Sequence, residues 1–165
     1  IINLYTTPLT RTEFMLGKQV PYVVLSMMSF VLMVIMAVTL FDVPVKGSAL
    51  TLFFAAFIYC IIATGMGLLA STFINSQIAV MFVTMIGTMI PAIQFSGLLN
   101  TVSSLQGAGR FIGEIYPATH MLIITRGVFN KALGLTDLTA PILALAVAVP
   151  IIVVSGILLL KKQAD

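Results

Sequence analysis

Charged residues are scarce in this chain. Only 8% of its 165 residues are Asp, Glu, Lys or Arg, against about 25% in soluble domains, and 60% are hydrophobic. Residues 47–109 contain no formal charge. A chain that crosses a bilayer core of roughly 30 Å needs about 20 apolar residues for each crossing, whereas a water-soluble core needs no such stretch. The composition therefore excludes a soluble domain and predicts a polytopic membrane protein.

Several chemically reactive groups are also nearly absent. The chain has one cysteine, Cys60, and one histidine, His120. A single cysteine cannot form a disulfide within the chain, and these two residues leave no cluster of metal ligands, so we interpret Cys60 as a small packing residue. The sequence lacks an H-E-x-x-H motif, paired intramembrane aspartates and a G-x-x-x-x-G-K-[S/T] loop. We therefore predict no metal, no cofactor and no enzymatic activity for this chain by itself.

Four long apolar runs are the main feature that is present. They cover residues 20–41, 49–73, 78–99 and 138–160. At about 1.5 Å per residue each run can cross a membrane as a helix, whereas barrel strands would be about 10 residues long with alternating polarity. The predicted fold class is all-α, a polytopic membrane protein with four transmembrane helices. The polar break at residues 75–77 predicts that the second and third helices form an antiparallel hairpin.

An even number of crossings places both ends of the chain on one side of the membrane. The distribution of basic residues identifies the cytosolic side only weakly, because four basic residues lie on the side of the chain ends and four lie on the opposite side. Lys18, Lys161 and Lys162 directly adjoin span ends, whereas most of the opposing basic residues lie in a long loop. We therefore predict that residues 1–19 and the tail 161–165 are cytosolic.

The opening segment carries the start signals of a helix. Thr10 and Glu13 have the S/T-x-x-E spacing of a capping box, in which each side chain satisfies the other residue's free backbone N–H. Pro8 keeps the residues before it extended. The pattern predicts a helix that begins at Arg11 and bends at Pro21. By itself, the pattern fits both the ordinary start of a transmembrane helix and a mechanical element at the membrane surface.

The connection of residues 100–137 is too long for a simple turn and too apolar to lie in water. Its pattern predicts two short amphipathic helices, separated at Pro117, that dip into the outer leaflet; an ordinary interfacial loop is the alternative. We expect Glu114 and Arg126 to pair across these helices as a structural latch. His120 is interpreted as an interfacial residue, with pH sensing as the less favoured reading.

A few polar and small residues within the apolar runs are candidates for helix packing or for lining a pathway. Small residues let another helix approach closely. A proline bends a helix and leaves backbone carbonyl groups without their helical hydrogen-bond partner, so neighbouring polar side chains can bond them. The selected residues are Gly65, Gly67, Gln94 and Ser96. Gln94 is the first choice for lining a pathway. The second and third runs contain no acidic or basic residue, which a proton-coupled carrier usually needs, so the energy source is expected to lie elsewhere.

Five pieces of the sequence resemble, in order, the ABC-2-type transporter permease family. They are LYTTPLTRTEFMLGKQVPY, ATGMGLLASTF, IPAIQFSGLL, GAGRFIGEIYPATHMLIITRGVF and LLLKKQ. The likeness is greatest to the membrane region of the ribosome-associated ATPases, in which ATPase domains precede the permease. The resemblance implies that residues 1–7 end a coupling helix and that the four spans are the last four of six. The residues implied in coupling to the ATPase are Leu4, Tyr5, Thr6, Thr7, Pro8, Thr10 and Glu13.

The same resemblance implies a function and a set of partners. The chain would be the permease portion of an ATP-driven exporter in the bacterial cytoplasmic membrane. Its partners would be nucleotide-binding ATPase domains that carry ATP and Mg, in the same or a separate chain, together with membrane lipid and a second permease unit. A ribosome link is implied, without direct nucleic-acid binding. Two alternatives stay open: a membrane anchor of a ribosome-associated ATPase with little transport, and an unrelated four-span carrier or channel.

Overall fold

Helices make up nearly all of the regular structure. A computed structural model describes residues 11–74, 76–99 and 102–160. In these ranges the α-helices are α1 Arg11–Thr39, α2 Ala49–Phe73, α3 Gln77–Gln94, α4 Ala108–Ile115, α5 Pro117–Lys131 and α6 Thr139–Leu160, with a single 3-10 turn at Val102–Ser104. Helices α1, α2, α3 and α6 are long and apolar enough to cross a membrane. The predicted fold class is therefore confirmed.

The helix bounds differ from the apolar runs at one important place. Helix α3 ends at Gln94, before the end of the apolar run at residue 99. The chain leaves the helical conformation there because Gly97 adopts a positive φ of 91°, a conformation that glycine tolerates. Helix α1 begins at Arg11 and continues through Pro21. Thr10, one half of the predicted capping box, lies outside the described residues.

Helix α2 is the centre of the bundle, since α1, α3, α5 and α6 all contact it. The core lies where α2, α5 and α6 converge. Its buried side chains are Leu52, Ala55, Ile58, Ile62, Ile124, Val128, Leu138 and Leu145. Ile124, Val128 and Leu145 are completely inaccessible to solvent. The short helix α5 is therefore part of the core and does not lie loosely on a membrane surface.

Helix α3 is attached far less extensively. It contacts α2, and none of its side chains is buried. Its outward face instead presents large apolar side chains, among them Met81, Phe82, Met85 and Ile86. Such a face is compatible with lipid, because a helix already satisfies its own backbone hydrogen bonds. Within the described bundle, α3 is the membrane-spanning helix with the fewest packing restraints.

The start of α2 is joined to the end of α5 through the backbone. Gly47 donates its N–H to the Val128 carbonyl at 2.8 Å, and Ser48 donates to the Leu133 carbonyl at 3.4 Å. A Cβ on Gly47 would lie 2.5 Å from the Leu133 oxygen, so this approach requires glycine. The Ser48 hydroxyl also caps α2 by accepting from the Thr51 N–H. We call the end of the bundle that holds these contacts the hairpin end.

The opposite end of the bundle contains the start of α1 and the ends of α2 and α6. We call it the root end. At this end a Cβ on Gly156 of α6 would lie 2.5 Å from the Met15 Cε of α1. A Cβ on Gly65 of α2 would lie 2.7 Å from the Ile152 Cγ2 of α6. Small residues therefore let these helices approach closely.

Two glycines of α2 offer a matched test of this packing. Replacing a helical glycine with alanine ordinarily stabilises a helix by about 1 kcal/mol. A Cβ on Gly67 would have no neighbouring atom within 4 Å, whereas a Cβ on Gly65 would clash with Ile152. We expect Gly67→Ala to raise or preserve the thermal midpoint in detergent and Gly65→Ala to lower it, because overpacking costs about 1–3 kcal/mol. Equal midpoints for the two variants would contradict the close α2–α6 contact.

Candidate functional site

The first candidate site lies at the root end, where α1 crosses α2 and α6. Met15 is 3% exposed and Gln19 is 4% exposed, although both belong to a helix that is otherwise largely uncovered. They are four residues apart, so they share one face of α1. We call Met15, Gln19, Gly65 and Gly156 the root contact. It is the place where the start of α1 is fixed to the rest of the bundle.

Gln19 provides the polar part of the root contact. Its Nε2 donates to the Ile61 carbonyl at 2.9 Å and lies 3.4 Å from the Thr64 hydroxyl. Thr64 in turn donates to the Cys60 carbonyl at 2.7 Å. The Gln19 Oε1 is buried without a hydrogen-bond partner among the described residues. The Gln19 amide therefore fixes the rotation of α1 relative to α2. If α1 turned, the Gln19 Nε2 would lose its carbonyl partner, and both polar atoms of the buried amide would then be unpaired.

Sequence reasoning did not select Gln19. The signal that points to it is its position, one helical turn after Met15 and on the same face. That face is recognisable as buried only when the packing of α1 against α2 is known. Cys60 is buried, which agrees with its interpretation as a packing residue.

The second candidate site is the hairpin of α4 and α5 at the other end of the bundle. Arg126 of α5 donates to the Gly97 carbonyl at 3.0 Å and to the Leu98 carbonyl at 3.4 Å. These carbonyls follow the end of α3, where the helix dipole places partial negative charge that favours a cation. His120 bonds the Glu114 carbonyl at 3.0 Å and closes the corner between the two short helices. Arg126 therefore fastens the hairpin to the end of α3.

The predicted latch between Glu114 and Arg126 is wrong. Glu114 instead accepts from Arg110 Nε at 2.8 Å, one turn earlier on the same helix. Residues four apart face each other on a helix, so this local pair forms without any tertiary constraint. Arg126 is drawn to the carbonyls of Gly97 and Leu98, which the early end of α3 leaves without helical partners. Arg126 thus latches the hairpin to α3, and the Glu114 carboxylate takes no part in that latch.

Tyr116, at the corner between α4 and α5, adds a deeper contact with α3. Its hydroxyl donates to the Thr88 carbonyl at 2.9 Å. Thr88 precedes the end of α3 by six residues, which corresponds to about 9 Å along the helix. The hairpin corner therefore packs beside α3 and not only beyond its end.

A cavity of about 170 Å³ lies against this corner. Its walls come from α2, α3 and the corner itself; the lining residues are Tyr59, Ile62, Ala63, Met66, Thr84, Thr88, Tyr116, Pro117 and Ala118. Ile62 lies thirteen residues after the start of α2, or about 20 Å along the helix.

The four residues selected for packing or a pathway are not brought together. Gly65 packs closely against α6 near the root end, whereas Gly67 has open space beside it. Gln94 is exposed at the last position of α3, at the hairpin end. Ser96 is buried there, and its hydroxyl donates to the Ala92 carbonyl. Gly65 therefore has the geometry of a packing residue, and the role of Gln94 in a pathway stays a prediction.

Most of the residues implied in coupling lie outside the described part of the chain. They are Leu4, Tyr5, Thr6, Thr7, Pro8 and Thr10. Glu13 is described, and its side chain is exposed in the first turn of α1. Its position is two residues before Met15, at the beginning of the helix that the root contact fixes.

Fold and site together define an integral membrane protein with a short helical hairpin packed against its spans. Comparison with known proteins then gives its family. The family model described as ABC-2 type transporter matches residues 1–130, so the chain belongs to the ABC-2 type transporter family. The family prediction is therefore confirmed.

Two curated relatives from Escherichia coli strain K12 carry related names. The chain is 32% identical to the probable multidrug ABC transporter permease YbhS over 126 residues, which cover 76% of this chain and 33% of that relative. It is 26% identical to the probable multidrug ABC transporter permease YbhR over 129 residues, which cover 78% of this chain and 35% of the relative. The chain thus spans about a third of the length of these relatives. No solved structure matches the chain significantly.

These findings support a membrane component of a transporter. The finer likeness to ribosome-associated ATPases, with a fused ATPase, stays a prediction.

The role of the buried Gln19 amide can be tested with a side chain of nearly the same shape that can carry a negative charge. Gln19→Glu would place a carboxylate against the Ile61 carbonyl, so the charged form has no donor and its folded-state pKa should rise. We expect full stability at low pH and a loss of roughly 2–4 kcal/mol as pH rises above about 4.3, the unfolded-state value of glutamate. Thermal midpoints in detergent across a pH series measure this effect. Gln94→Glu, at an exposed site, is the control and should show much smaller pH dependence.

Arg126 can be tested by hydrogen exchange. Arg126→Ala removes the donors to Gly97 and Leu98, so α5 and the end of α3 should open more often. We expect roughly three- to tenfold faster amide exchange in peptides that cover these segments, equivalent to about 1 kcal/mol. Lys131→Ala, which removes another exposed cation from α5, is the control. Unchanged exchange in Arg126→Ala would show that the guanidinium does not hold the hairpin.

Proposed function

We propose that this chain is the membrane-spanning part of an ATP-driven exporter, with ATP hydrolysed on associated nucleotide-binding domains. The observation that carries the proposal is the root contact. It joins the start of α1, the helix that follows the predicted coupling residues, to both α2 and α6 through Gln19 and Met15. A force applied at the start of α1 would therefore act on three spans together.

The residue types in the spans favour ATP as the source of energy for transport. Residues 47–109 contain no charged group, so the usual intramembrane proton carriers are missing from α2 and α3. The sequence also contains no phosphate-binding loop of the G-x-x-x-x-G-K-[S/T] type. ATP and Mg would therefore be held by partner domains, in the same or a separate chain, and the permease would convert their motion into transport.

The bundle offers a route for that motion to the opposite side of the membrane. Helix α2 takes part in the root contact and, at its other end, bonds the end of α5 through Gly47. The hairpin in turn bonds α3 through Arg126 and Tyr116. Because α3 has few packing restraints, a shift of α2 and the hairpin would change its position more easily than that of α6. Movement of α3 would alternately open and close a path beside it.

The remaining features of the proposal rest on resemblance and on the names of the relatives. Those relatives are named probable multidrug permeases, so amphipathic drug-like compounds are the proposed substrates, moved out of the cell. The proposed location is the bacterial inner membrane, with both ends of the chain cytosolic. A second permease unit and lipid would cover the apolar faces of α1 and α3. A fused ATPase and a link to the ribosome belong to the same proposal.

Transport can be measured after reconstitution of the chain with its ATPase domains. In inside-out vesicles we expect ATP-dependent accumulation of a fluorescent amphipathic dye and no accumulation with a non-hydrolysable ATP analogue. Membrane-bound ATPase activity without dye transport would instead identify an anchor. Dye flux without ATP would identify a carrier or a channel.

Glu13 provides a test of the coupling step within the same assay. Glu13→Ala removes the capping side chain and frays the start of α1, a change worth about 1 kcal/mol. We expect less dye transported per ATP hydrolysed and weaker stimulation of ATP hydrolysis by substrate. Glu13→Gln is the matched control, because glutamine also serves in a capping box and should retain near-normal coupling. Normal coupling in Glu13→Ala would contradict a mechanical role for this helix start.

A further inference from the structure

Helix α3 contains a proline one turn before its end. Pro91 lies three residues before Gln94, the last residue of α3. Proline has no backbone N–H, so the Gly87 carbonyl, four residues earlier, has no helical partner. The helical partner of the Thr88 carbonyl is the N–H of Ala92, directly after the proline, and a bend at the proline would lengthen that bond as well. The helical ladder of α3 is therefore weakest at this turn.

The residues that follow the proline are attached to the α4–α5 hairpin. A Cβ on Gly109 would lie 3.3 Å from the Phe95 ring, and a Cβ on Gly113 would lie 2.6 Å from the Phe95 carbonyl oxygen, so α4 packs directly on Phe95. Arg126 of α5 donates to two carbonyls within residues 95–98. Residues 95–98 and the hairpin therefore form one packed unit.

The longer part of α3, before the proline, is held differently. Helix α3 contacts α2, and none of its side chains is buried. A Cβ on Gly87 would have no neighbouring atom within 4 Å, so there is open space beside the helix one turn before the proline. The Tyr116 hydroxyl of the hairpin corner donates to the Thr88 carbonyl at 2.9 Å. This bond joins the hairpin to α3 across the turn that the proline weakens.

We propose that Pro91 is a hinge in α3 and that the Tyr116 hydroxyl locks it. While Tyr116 bonds the Thr88 carbonyl, the last turn of α3 and the hairpin stay aligned with the rest of the helix. When the bond opens, the last turn swings together with residues 95–98 and the hairpin, and the longer part of α3 stays beside α2. The inference does not depend on transport, because it concerns a motion within this chain, and a transporter could also move α3 as a whole.

The test measures two distances by pulsed electron paramagnetic resonance on the chain in lipid nanodiscs. Spin labels on Met81→Cys and Phe111→Cys, both at exposed positions, give the α3–α4 distance. Spin labels on Met81→Cys and Leu50→Cys, also exposed, give the α2–α3 distance. Cys60→Ala removes the native thiol in every sample.

Tyr116→Phe removes the hydroxyl and keeps the ring. We expect a second α3–α4 distance, whose population relative to the first rises roughly three- to tenfold over that in the unaltered chain, the worth of one neutral hydrogen bond. The α2–α3 distance should stay unchanged. In a Pro91→Ala background, which restores the missing N–H, Tyr116→Phe should leave both distances unchanged.

Tyr22→Phe removes an exposed phenol hydroxyl from α1 and is the matched control, which should leave both distances unchanged. A third pair of labels, on Leu50→Cys and Val154→Cys, spans α2 and α6 and shows whether the bundle is intact in each variant. The hinge is overturned if Tyr116→Phe shifts the α2–α3 distance in an intact bundle, because α3 would then move as a whole. It is also overturned if Tyr116→Phe changes no distance, or if its effect persists in the Pro91→Ala background.

Discussion

The structure depends on one constraint: inside a hydrocarbon layer, a backbone polar group must find its partner within the protein. Four long helices meet this demand along most of the chain. The demand becomes acute where α3 ends early, because the carbonyls of Gly97 and Leu98 leave the helical ladder. Arg126 satisfies both, and it does so from a helix that belongs to the core. The hairpin is thus held by the backbone groups that the break in α3 exposes.

The same constraint explains the role of α2. The two residues before it bond α5 and the segment that follows α5, and its middle turns receive the side chain of Gln19. Both ends of the bundle are therefore connected through a single helix. Glycines at positions 47, 65 and 156 make these connections close, since a Cβ at any of them would meet a neighbouring atom at less than 3 Å. Helix α2 is thus packed against four other helices, whereas no side chain of α3 is buried.

Sequence reasoning succeeded where the signal lies along the chain. The apolar runs predicted the spans, and the second run coincides with α2. The division of the outer loop at Pro117 agrees with the start of α5, because proline is well tolerated in the first turn of a helix. Reasoning failed where two elements meet. Glu114 and Arg126 are opposite charges on neighbouring helices, yet each is paired elsewhere, and Gln19 was not selected from the sequence.

The amino-acid sequence by itself determined the membrane-spanning character, the helical class and the family of this protein, because hydropathy and local motifs act over consecutive residues. Only the tertiary structure decided that Gln19 is buried at the root contact and that Arg126 binds the end of α3. These outcomes depend on the rotation and depth of each helix relative to its neighbours. In a chain with so few polar groups, a rotation of a fraction of a turn decides which of them is paired, and no local pattern specifies that angle.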